Sequence, residues 1–151
     1  MSQAELPEDI RDAIGRVHYR QQSDFSVESG YVQTLCAAVQ NGNPLYWDGA
    51  TADDVTGGPT APLSMLSVWL RPHFWAPGRS ASVKPLQLHF DLKERLGYPT
   101  AIVTGNELVF HEPVRLGDRL SAGQVLKSVS GLKQTKLGVG RFWVIEMQYR
   151  N

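Results

Sequence analysis

The stretch Gln40-Asn41-Gly42-Asn43-Pro44-Leu45-Tyr46-Trp47-Asp48 divides the first half of the chain. Before it, apolar side chains recur at helical spacing from residue 26 to residue 40, and Ser26 is placed to cap that helix. The helix cannot continue past Asn43, because Pro44 lacks an amide hydrogen and restricts the residue before it. The stretch is therefore predicted to be a helix end followed by a turn.

A loop and a strongly apolar segment follow this turn. The loop, Thr56-Gly57-Gly58-Pro59-Thr60-Ala61-Pro62, is rich in glycine and proline. The segment from Leu63 to Leu70 is apolar nearly all round, which predicts a helix that is covered on most sides. Pro72 and Pro77 limit this helix to a few turns.

The second half of the chain has the composition and periodicity of β-strands. Residues 86–91 alternate between apolar and polar side chains, and residues 101–111 are rich in β-branched and aromatic ones. Further strands are predicted at 120–129 and 141–150, with turns at 117–118, 130–131 and 138–140. On the last strand, one face is predicted to carry Trp143, Ile145, Met147 and Tyr149.

The order of the predicted elements indicates the fold class. A short helix opens at Leu6-Pro7-Glu8-Asp9-Ile10 and is predicted to stop at Gly15. Helices come first and antiparallel strands follow, which predicts an α+β fold. We expect one domain over residues 1–151, with residues 1–22 as a helical lead-in, because 151 residues is near the usual size of one domain.

Composition excludes several classes of partner. The chain has 15 basic and 15 acidic side chains, so no overall charge draws it to nucleic acid or to an anionic membrane. It has no apolar run long enough to span a bilayer and no signal-peptide pattern, so we expect a soluble, cytoplasmic protein. Its single cysteine, Cys36, lies on a helical pattern and is expected to be buried rather than nucleophilic.

The charges are unevenly distributed along the chain. Residues 1–54 carry nine acidic side chains, whereas residues 119–145 carry no acidic one. The basic side chains in that second range are Arg119, Lys127, Lys133, Lys136 and Arg141. Such a patch suits a phosphate-bearing ligand or an acidic partner, and it is equally typical of a solvated hairpin.

Three pieces of the chain, in order, resemble the MaoC-like hot-dog family of (R)-specific enoyl-thioester hydratases and dehydratases. QNGNPLYWD, at residues 40–48, stands where the hydratase motif would be. GGPTAP and the segment after it resemble the entry to the family's central helix, and His111–Leu120, HEPVRLGDRL, resembles its proline and Gly-Asp turn. The resemblance covers residues 16–150 and implies a curved antiparallel sheet wrapped around a central helix.

The resemblance implies that the catalytic pair is missing. Active members read Gly-Asp-x-Asn-Pro-aliphatic-His, and their aspartate and histidine activate water. Here those positions hold Asn41 and Tyr46, while Asn43 and Pro44 are kept. An amide does not titrate and a phenol has a pKa near 10, so neither replaces a base near neutral pH.

Members of the family that lack the pair form one half of a two-part enzyme, like the MaoC-like N-terminal dehydratase domain. This likeness predicts a non-catalytic subunit of a heteromeric enoyl-CoA hydratase or 3-hydroxyacyl-thioester dehydratase. A catalytic hot-dog subunit would be its partner, and acyl-CoA or an acyl-carrier thioester its ligand. We expect no cofactor.

A cleft for a bulky acyl group, such as a steroid side chain, is predicted next to the central helix. Its candidate residues are Met65, Trp69, Phe74, Trp75, Gly57 and Gly58. The large side chains suit core packing equally well. Two other functions stay open, a homodimeric acyl-thioester binder and a thioesterase that uses Asp48 or Glu107. Asp48 is otherwise expected to cap a helix.

The histidines do not form a metal-ligand pattern. Each of His18, His73, His89 and His111 stands without a second ligand at metal-binding spacing, so no metal site is predicted. The family usually has a further stretch after its final long strand, and the sequence leaves open whether the native protein continues past Asn151.

Overall fold

The computed structural model describes residues 6–71, 75–78 and 84–151. Its helices are α1 (Glu8–Ala13), α2 (Ser29–Ala38), α3 (Gly49–Thr56) and α4 (Gln87–Arg95), with short 3-10 helices at Pro44–Tyr46 and Leu63–Met65. Its strands are β1 (Val17–Gln22), β2 (Ser121–Val129), β3 (Lys133–Thr135), β4 (Gly138–Gly140) and β5 (Trp143–Arg150). The mixture of helices and sheet confirms the predicted α+β class.

The chain forms two compact units. Unit 1 comprises Met1–Gln21, Val83–Gly105 and Ala122–Gln148, and unit 2 comprises Gln22–Ser82, Asn106–Ser121 and Tyr149–Asn151. The expectation of a single domain over 1–151 stays a prediction.

Unit 1 contains a sheet with a helix packed against it. The sheet has the strand order β1-β2-β5, and its core cluster consists of Ile10, Leu88, Leu92 and Leu126. Leu88 and Leu92 are one helical turn apart on α4, so they present one apolar face to β2. Gly123 lets β1 approach closely, because a Cβ there would stand 2.5 Å from Cγ1 of Val17. A separate pair, β3 and β4, is antiparallel.

In unit 2, the segment that precedes β2 forms backbone hydrogen bonds with two other segments of the chain. On one side, the Ser23 amide donates to the Leu120 carbonyl at 2.7 Å. On the other side, the Ala61 amide donates to the Val114 carbonyl at 2.8 Å, next to an antiparallel bridge between Thr60 and Arg115. The glycine-proline loop is therefore fixed to the segment that contains the predicted turn at 117–118.

The α-helix predicted at 63–70 is wrong, but the predicted burial of this segment is confirmed for Met65 and Trp69. Only Leu63–Met65 is helical, as a 3-10 turn, and the amides of Leu66, Val68 and Arg71 each donate to the carbonyl three residues earlier. Met65 and Trp69 are 2% and 0% exposed. A series of 3-10 turns buries these apolar residues without a regular α-helix.

Two predicted strands are absent from the described structure. Residues 86–91 lie mostly in helix α4, because contacts with the sheet select the spacing of Leu88, Leu92 and Leu96 over the alternating pattern. Residues 101–111 have no secondary structure. A β-forming sequence does not form a strand without a partner strand, because its backbone groups then have no ladder to join.

The predicted strands at 120–129 and 141–150 are confirmed as β2 and β5. On β5, Trp143 and Ile145 pack against the core of unit 1, whereas Val144 between them is 54% exposed. The turn predicted at 138–140 is instead strand β4, and the turn lies at 136–137. The expectation of a helical lead-in over residues 1–22 is wrong in its last part, because α1 ends at Ala13 and Val17–Gln22 is strand β1. This strand was not predicted, since VHYRQQ is mostly polar. In the described ranges, no helix has the length and apolar character needed to cross a membrane.

Candidate functional site

The stretch 40–48 folds as a chain of side-chain-capped turns in unit 2. The Asn41 amide donates to the Cys36 carbonyl and closes helix α2, while its side-chain oxygen accepts from the Asn43 amide at 3.0 Å. The Asn43 side chain in turn accepts from the Leu45 amide at 3.1 Å, which starts the 3-10 helix at Pro44. Both asparagines therefore serve as turn-forming residues, a use to which short amide side chains are suited.

The partly exposed Trp47 indole stabilises this turn through a hydrogen bond to its backbone. Its Nε1–H donates to the Asn41 carbonyl at 2.8 Å, while 47% of the residue stays exposed. The predicted helix end and turn are thus confirmed. The helix is shorter than predicted, because it begins at Ser29 with Glu28 as its N-cap residue, so Ser26 does not cap it.

Tyr46, which the resemblance places at the motif histidine, carries a phenol rather than an imidazole. Burial, together with the nearby Cys36 thiol, raises the pKa of the Tyr46 phenol above its usual value near 10. The Cys36 thiol is itself buried, as predicted, and burial raises its pKa. Neither group is ionised near neutral pH, so neither is available as a general base.

Asp48 is the N-cap residue of helix α3, as expected. Its carboxylate accepts hydrogen bonds from the Ala50 and Thr51 amides and from the Thr51 hydroxyl. The Thr51 hydroxyl, followed by the two amides, lowers the pKa of the Asp48 carboxyl. An ionised carboxylate held in a cap is poorly suited to the thioesterase role that was left open for it. Glu107, the other residue considered for that role, is exposed.

The capping carboxylate makes a pH-dependent contribution to stability. We expect Asp48→Asn, which keeps a good cap residue but removes the charge, to be less stable than the wild type at neutral pH. Because the folded pKa of Asp48 is depressed, this difference should be present above the unfolded pKa and disappear as pH falls through the folded pKa. Thermal unfolding between about pH 2 and 7 measures it, with the unfolded carboxyl titrating near 4.

Asp54→Asn on the same helix is the matched control for removing one negative charge. A stability difference for Asp48→Asn that stays constant down to the lowest pH would contradict a role for the ionised cap.

Gly57 and Gly58 follow helix α3 with positive φ angles, and the Arg115 side chain lies beside them. Gly57 has a φ of 67° at the C-cap, a conformation that favours glycine. The Arg115 guanidinium donates from Nη2 to the Thr56 carbonyl at 2.9 Å, and Nη1 lies 3.5 Å from where a Cβ on Gly58 would stand. Arg115 Nη1 is buried, and no acceptor for it is present among the described residues.

The predicted cleft residues occupy different environments. Trp69 packs edge-on against Phe25 and Tyr31, with ring centroids 6.1 and 6.0 Å away. Met65 is also buried, whereas Trp75 is 76% exposed. Phe74 lies outside the described residues. The structure thus places Met65 and Trp69 in the core of unit 2, the packing role that the sequence left open.

Histidine and basic side chains are used for local contacts. The Trp143 indole donates to His89 Nδ1 at 3.2 Å, and burial lowers the pKa of His89. Four of the five basic side chains of the 119–145 patch bind carbonyls, a carboxylate or a ring within the fold. This arrangement favours the hairpin interpretation over a ligand patch. Within the described ranges, no group of three metal-binding side chains comes together.

The contacts of Arg115, Phe25 and Tyr31 were not predicted from the sequence. Arg115 contacts Thr56 across 59 residues of chain, and Phe25 stacks on Tyr31 with centroids 5.6 Å apart. Such contacts depend on tertiary folding and have no short-range signature.

Comparisons with known proteins identify the family of this chain. The sequence model of the family described as "FAS1-like, dehydratase domain region" matches residues 12–151. A probable enoyl-CoA hydratase alpha subunit of Thermomonospora curvata is 32% identical over 122 residues, which is 76% of this chain and 36% of the relative. The 3-oxo-4,17-pregnadiene-20-carboxyl-CoA hydratase alpha subunit of Mycobacterium tuberculosis is 33% identical over 118 residues, or 77% of this chain and 37% of the relative.

The chain thus spans little more than a third of the length of these curated relatives. Among solved structures, the ChsH1-ChsH2 complex from Mycobacterium tuberculosis contains a chain that matches with a TM-score of 0.74 and 26% identity. The match covers 94% of this chain and 82% of that one. The chain therefore belongs to the FAS1-like dehydratase family, and its fold is the MaoC-like hot dog.

Proposed function

We propose that this chain is the non-catalytic subunit of a heteromeric enoyl-CoA hydratase or 3-hydroxyacyl-thioester dehydratase. One observation carries the proposal. The motif stretch folds as a capped turn, and Asn41 and Tyr46, which the resemblance places at the family's acid and base positions, are a turn-forming amide and a phenol of raised pKa. A partner hot-dog subunit supplies the aspartate and histidine, and this chain completes the acyl-binding cleft.

The names of the relatives support a subunit role. Both are called alpha subunits of enoyl-CoA hydratases, and the matching solved structure is a two-protein complex. One relative is named for a pregnadiene carboxyl-CoA substrate, which makes a bulky polycyclic acyl thioester the first substrate to try.

The acyl cleft is proposed to include the segment predicted from the sequence. Trp75, 76% exposed, is the candidate that an acyl group can contact, whereas Met65 and Trp69 are core residues that support the cleft. Gly57 and Gly58 remain predictions from the sequence. A largely apolar lining with few polar groups suits a steroid-like acyl group. Phe74 remains a prediction from the sequence.

A reconstitution experiment tests the proposal. We expect the purified chain alone to hydrate neither a short enoyl-CoA nor a steroid side-chain enoyl-CoA. Activity should appear when a hot-dog protein from the same organism with an intact Gly-Asp-x-Asn-Pro-aliphatic-His motif is added. Loss of the enoyl-thioester absorbance measures both reactions.

Robust hydration by the isolated chain would overturn the non-catalytic assignment. Release of free thiol from acyl-CoA by the isolated chain would instead identify a thioesterase. Tight acyl-CoA binding by a stable homodimer, with no effect of the partner, would support the binding-protein alternative.

A further inference from the structure

Arg115 contacts both ends of the glycine-proline loop that connects helix α3 to the apolar segment after it. At the start of the loop, its Nη2 donates to the Thr56 carbonyl at 2.9 Å. At the end of the loop, the backbone of Arg115 forms an antiparallel bridge with Thr60, and the Ala61 amide donates to the Val114 carbonyl at 2.8 Å. One residue therefore holds the loop where it leaves α3 and where it enters the apolar segment.

The glycine pair makes the loop dependent on contacts from outside it. Gly57 and Gly58 have φ values of 67° and 138°, in a region that residues with side chains rarely adopt. Glycine restricts the backbone least, so local sterics do not fix the direction of the chain after α3. The Arg115 guanidinium lies beside both glycines, with Nη2 4.0 Å and Nη1 3.5 Å from where their Cβ atoms would stand. It thus contacts the corner at which the chain changes direction.

Arg115 is itself held by its neighbours in the turn before β2. Its backbone amide donates to the Asp118 carboxylate at 2.8 Å, and the next amide, of Leu116, donates to the Pro59 carbonyl at 3.2 Å. Its Nη1, however, is buried and has no acceptor among the described residues. A buried donor without an acceptor opposes folding, so stability alone is a poor reason for an arginine at this position.

We infer that Arg115 is a positioning residue of the acyl cleft. By holding the loop at both ends, it sets the position of the chain that carries Met65, Trp69 and Trp75. The inference rests on the proposed function, which locates the acyl group beside that chain. Arg115 acts through the loop backbone, and a polycyclic acyl group contacts more of a cleft than a short chain does. Arg115 therefore determines the preference for bulky acyl groups and leaves the rate of the chemical step unchanged.

Steady-state kinetics of the reconstituted complex test this role with two substrates, crotonyl-CoA and a steroid side-chain enoyl-CoA. Arg115→Met has an unbranched side chain that cannot donate to the Thr56 carbonyl. It should raise the KM for the steroid thioester by about 10-fold or more, while the KM for crotonyl-CoA and both kcat values stay within about two-fold. Arg115→Lys should give an intermediate KM, because its ammonium donates but is shorter and lacks the guanidinium fork.

Arg119→Met is the matched control. The Arg119 guanidinium also donates to backbone carbonyls far away in sequence, those of Ser23 and Asp24 at 3.0 and 3.2 Å, but it does not hold the glycine-proline loop. This variant should leave the ratio of the two KM values as in the wild type. Circular dichroism and affinity for the partner check folding and assembly. An equal rise of that ratio for Arg119→Met and Arg115→Met would show a general loosening of unit 2 and overturn the inference.

Two other kinetic results would also overturn the inference. A fall in kcat with both substrates, with assembly intact, would mean that Arg115 acts on the reacting thioester itself. A wild-type ratio of KM values in both Arg115 variants would mean that the loop does not shape the cleft. If Arg115→Met does not fold, the same ratio in Arg115→Lys decides the question.

Hydrogen exchange of the isolated chain separates this inference from the proposed function. In Arg115→Met, the loop amides at residues 57–61 should exchange about 10-fold or more faster than in the wild type, because the loop has lost its contact at Thr56. Unchanged exchange would show that Arg115 does not hold the loop, whatever the chain does in catalysis. Faster exchange together with a wild-type complex that hydrates neither substrate would leave Arg115 as the residue that holds the loop and would refute the hydratase assignment, and with it the cleft role.

Discussion

In the reconstituted complex, replacing the partner's motif aspartate by asparagine is expected to lower the hydration rate by about 10²–10⁴, the usual cost of losing general acid-base help. Replacing Asn41 or Tyr46 of this chain is expected to leave the rate unchanged. The reason is that Asn41 holds a turn through the Asn43 amide, and Tyr46 carries a phenol whose raised pKa keeps it protonated. The rate of hydration at saturating enoyl-CoA is the measurement.

The substitutions in this chain must leave the turn intact for the comparison to be clear. Asn41→Asp keeps an oxygen that accepts from the Asn43 amide, and Tyr46→Phe keeps the ring while removing the hydroxyl. Circular dichroism and the affinity for the partner serve as controls for folding and assembly. A 100-fold loss of rate in either variant, with assembly unchanged, would place a catalytic group in this chain.

The sequence predicted the motif better than the fold around it. Pro44 and Asp48 have strong local effects, the first by ending a helix and the second by capping the next one, so their roles were visible in the sequence. The prediction that Asn41 and Tyr46 replace a catalytic pair also depends only on residue identity. Local chemistry of this kind does not need tertiary contacts to be recognised.

The errors concern segments whose structure depends on distant contacts. Around Leu88 both a two-residue and a four-residue apolar spacing are present, and packing on Leu126 selects the helix. The apolar segment at 63–70 was predicted to be a helix, but its hydrogen bonds span three residues rather than four. At 63–70 the burial of Met65 and Trp69 was predicted correctly, whereas at 86–91 the predicted alternating face is wrong, because Leu88 is buried but Leu86 and Phe90 are 38% and 39% exposed.

Strand β1, in contrast, was not predicted from the sequence at all. Its sequence is mostly polar, and Tyr19 within it has a φ of 50°, which is unusual for a residue with a side chain. The Tyr19 hydroxyl donates to the Asp91 carboxylate of helix α4, 72 residues later. A strand fixed by such long-range contacts has no strong periodic signal in the sequence.

Trp69 gives the largest expected effect on stability. Its side chain is fully buried and packs edge-on against Phe25 and Tyr31, so Trp69→Ala is expected to lower the free energy of unfolding by about 3–5 kcal/mol. Its indole N–H, however, has no acceptor among the described residues. A buried donor without a partner costs about 1–3 kcal/mol, so this group opposes the stability that the ring provides.

Trp69→Phe separates the two contributions. It keeps an aromatic ring in the cluster and removes the unpaired N–H donor. Removing that donor should recover about 1–3 kcal/mol, which should offset much of the stability lost with the larger indole ring. Urea unfolding followed by circular dichroism measures both variants, and Trp75→Ala, at a residue 76% exposed, should change stability by no more than about 0.5 kcal/mol. If Trp69→Phe costs as much as Trp69→Ala, the indole N–H must be hydrogen-bonded in solution. The core of unit 2 would then contain an acceptor that its packing does not show.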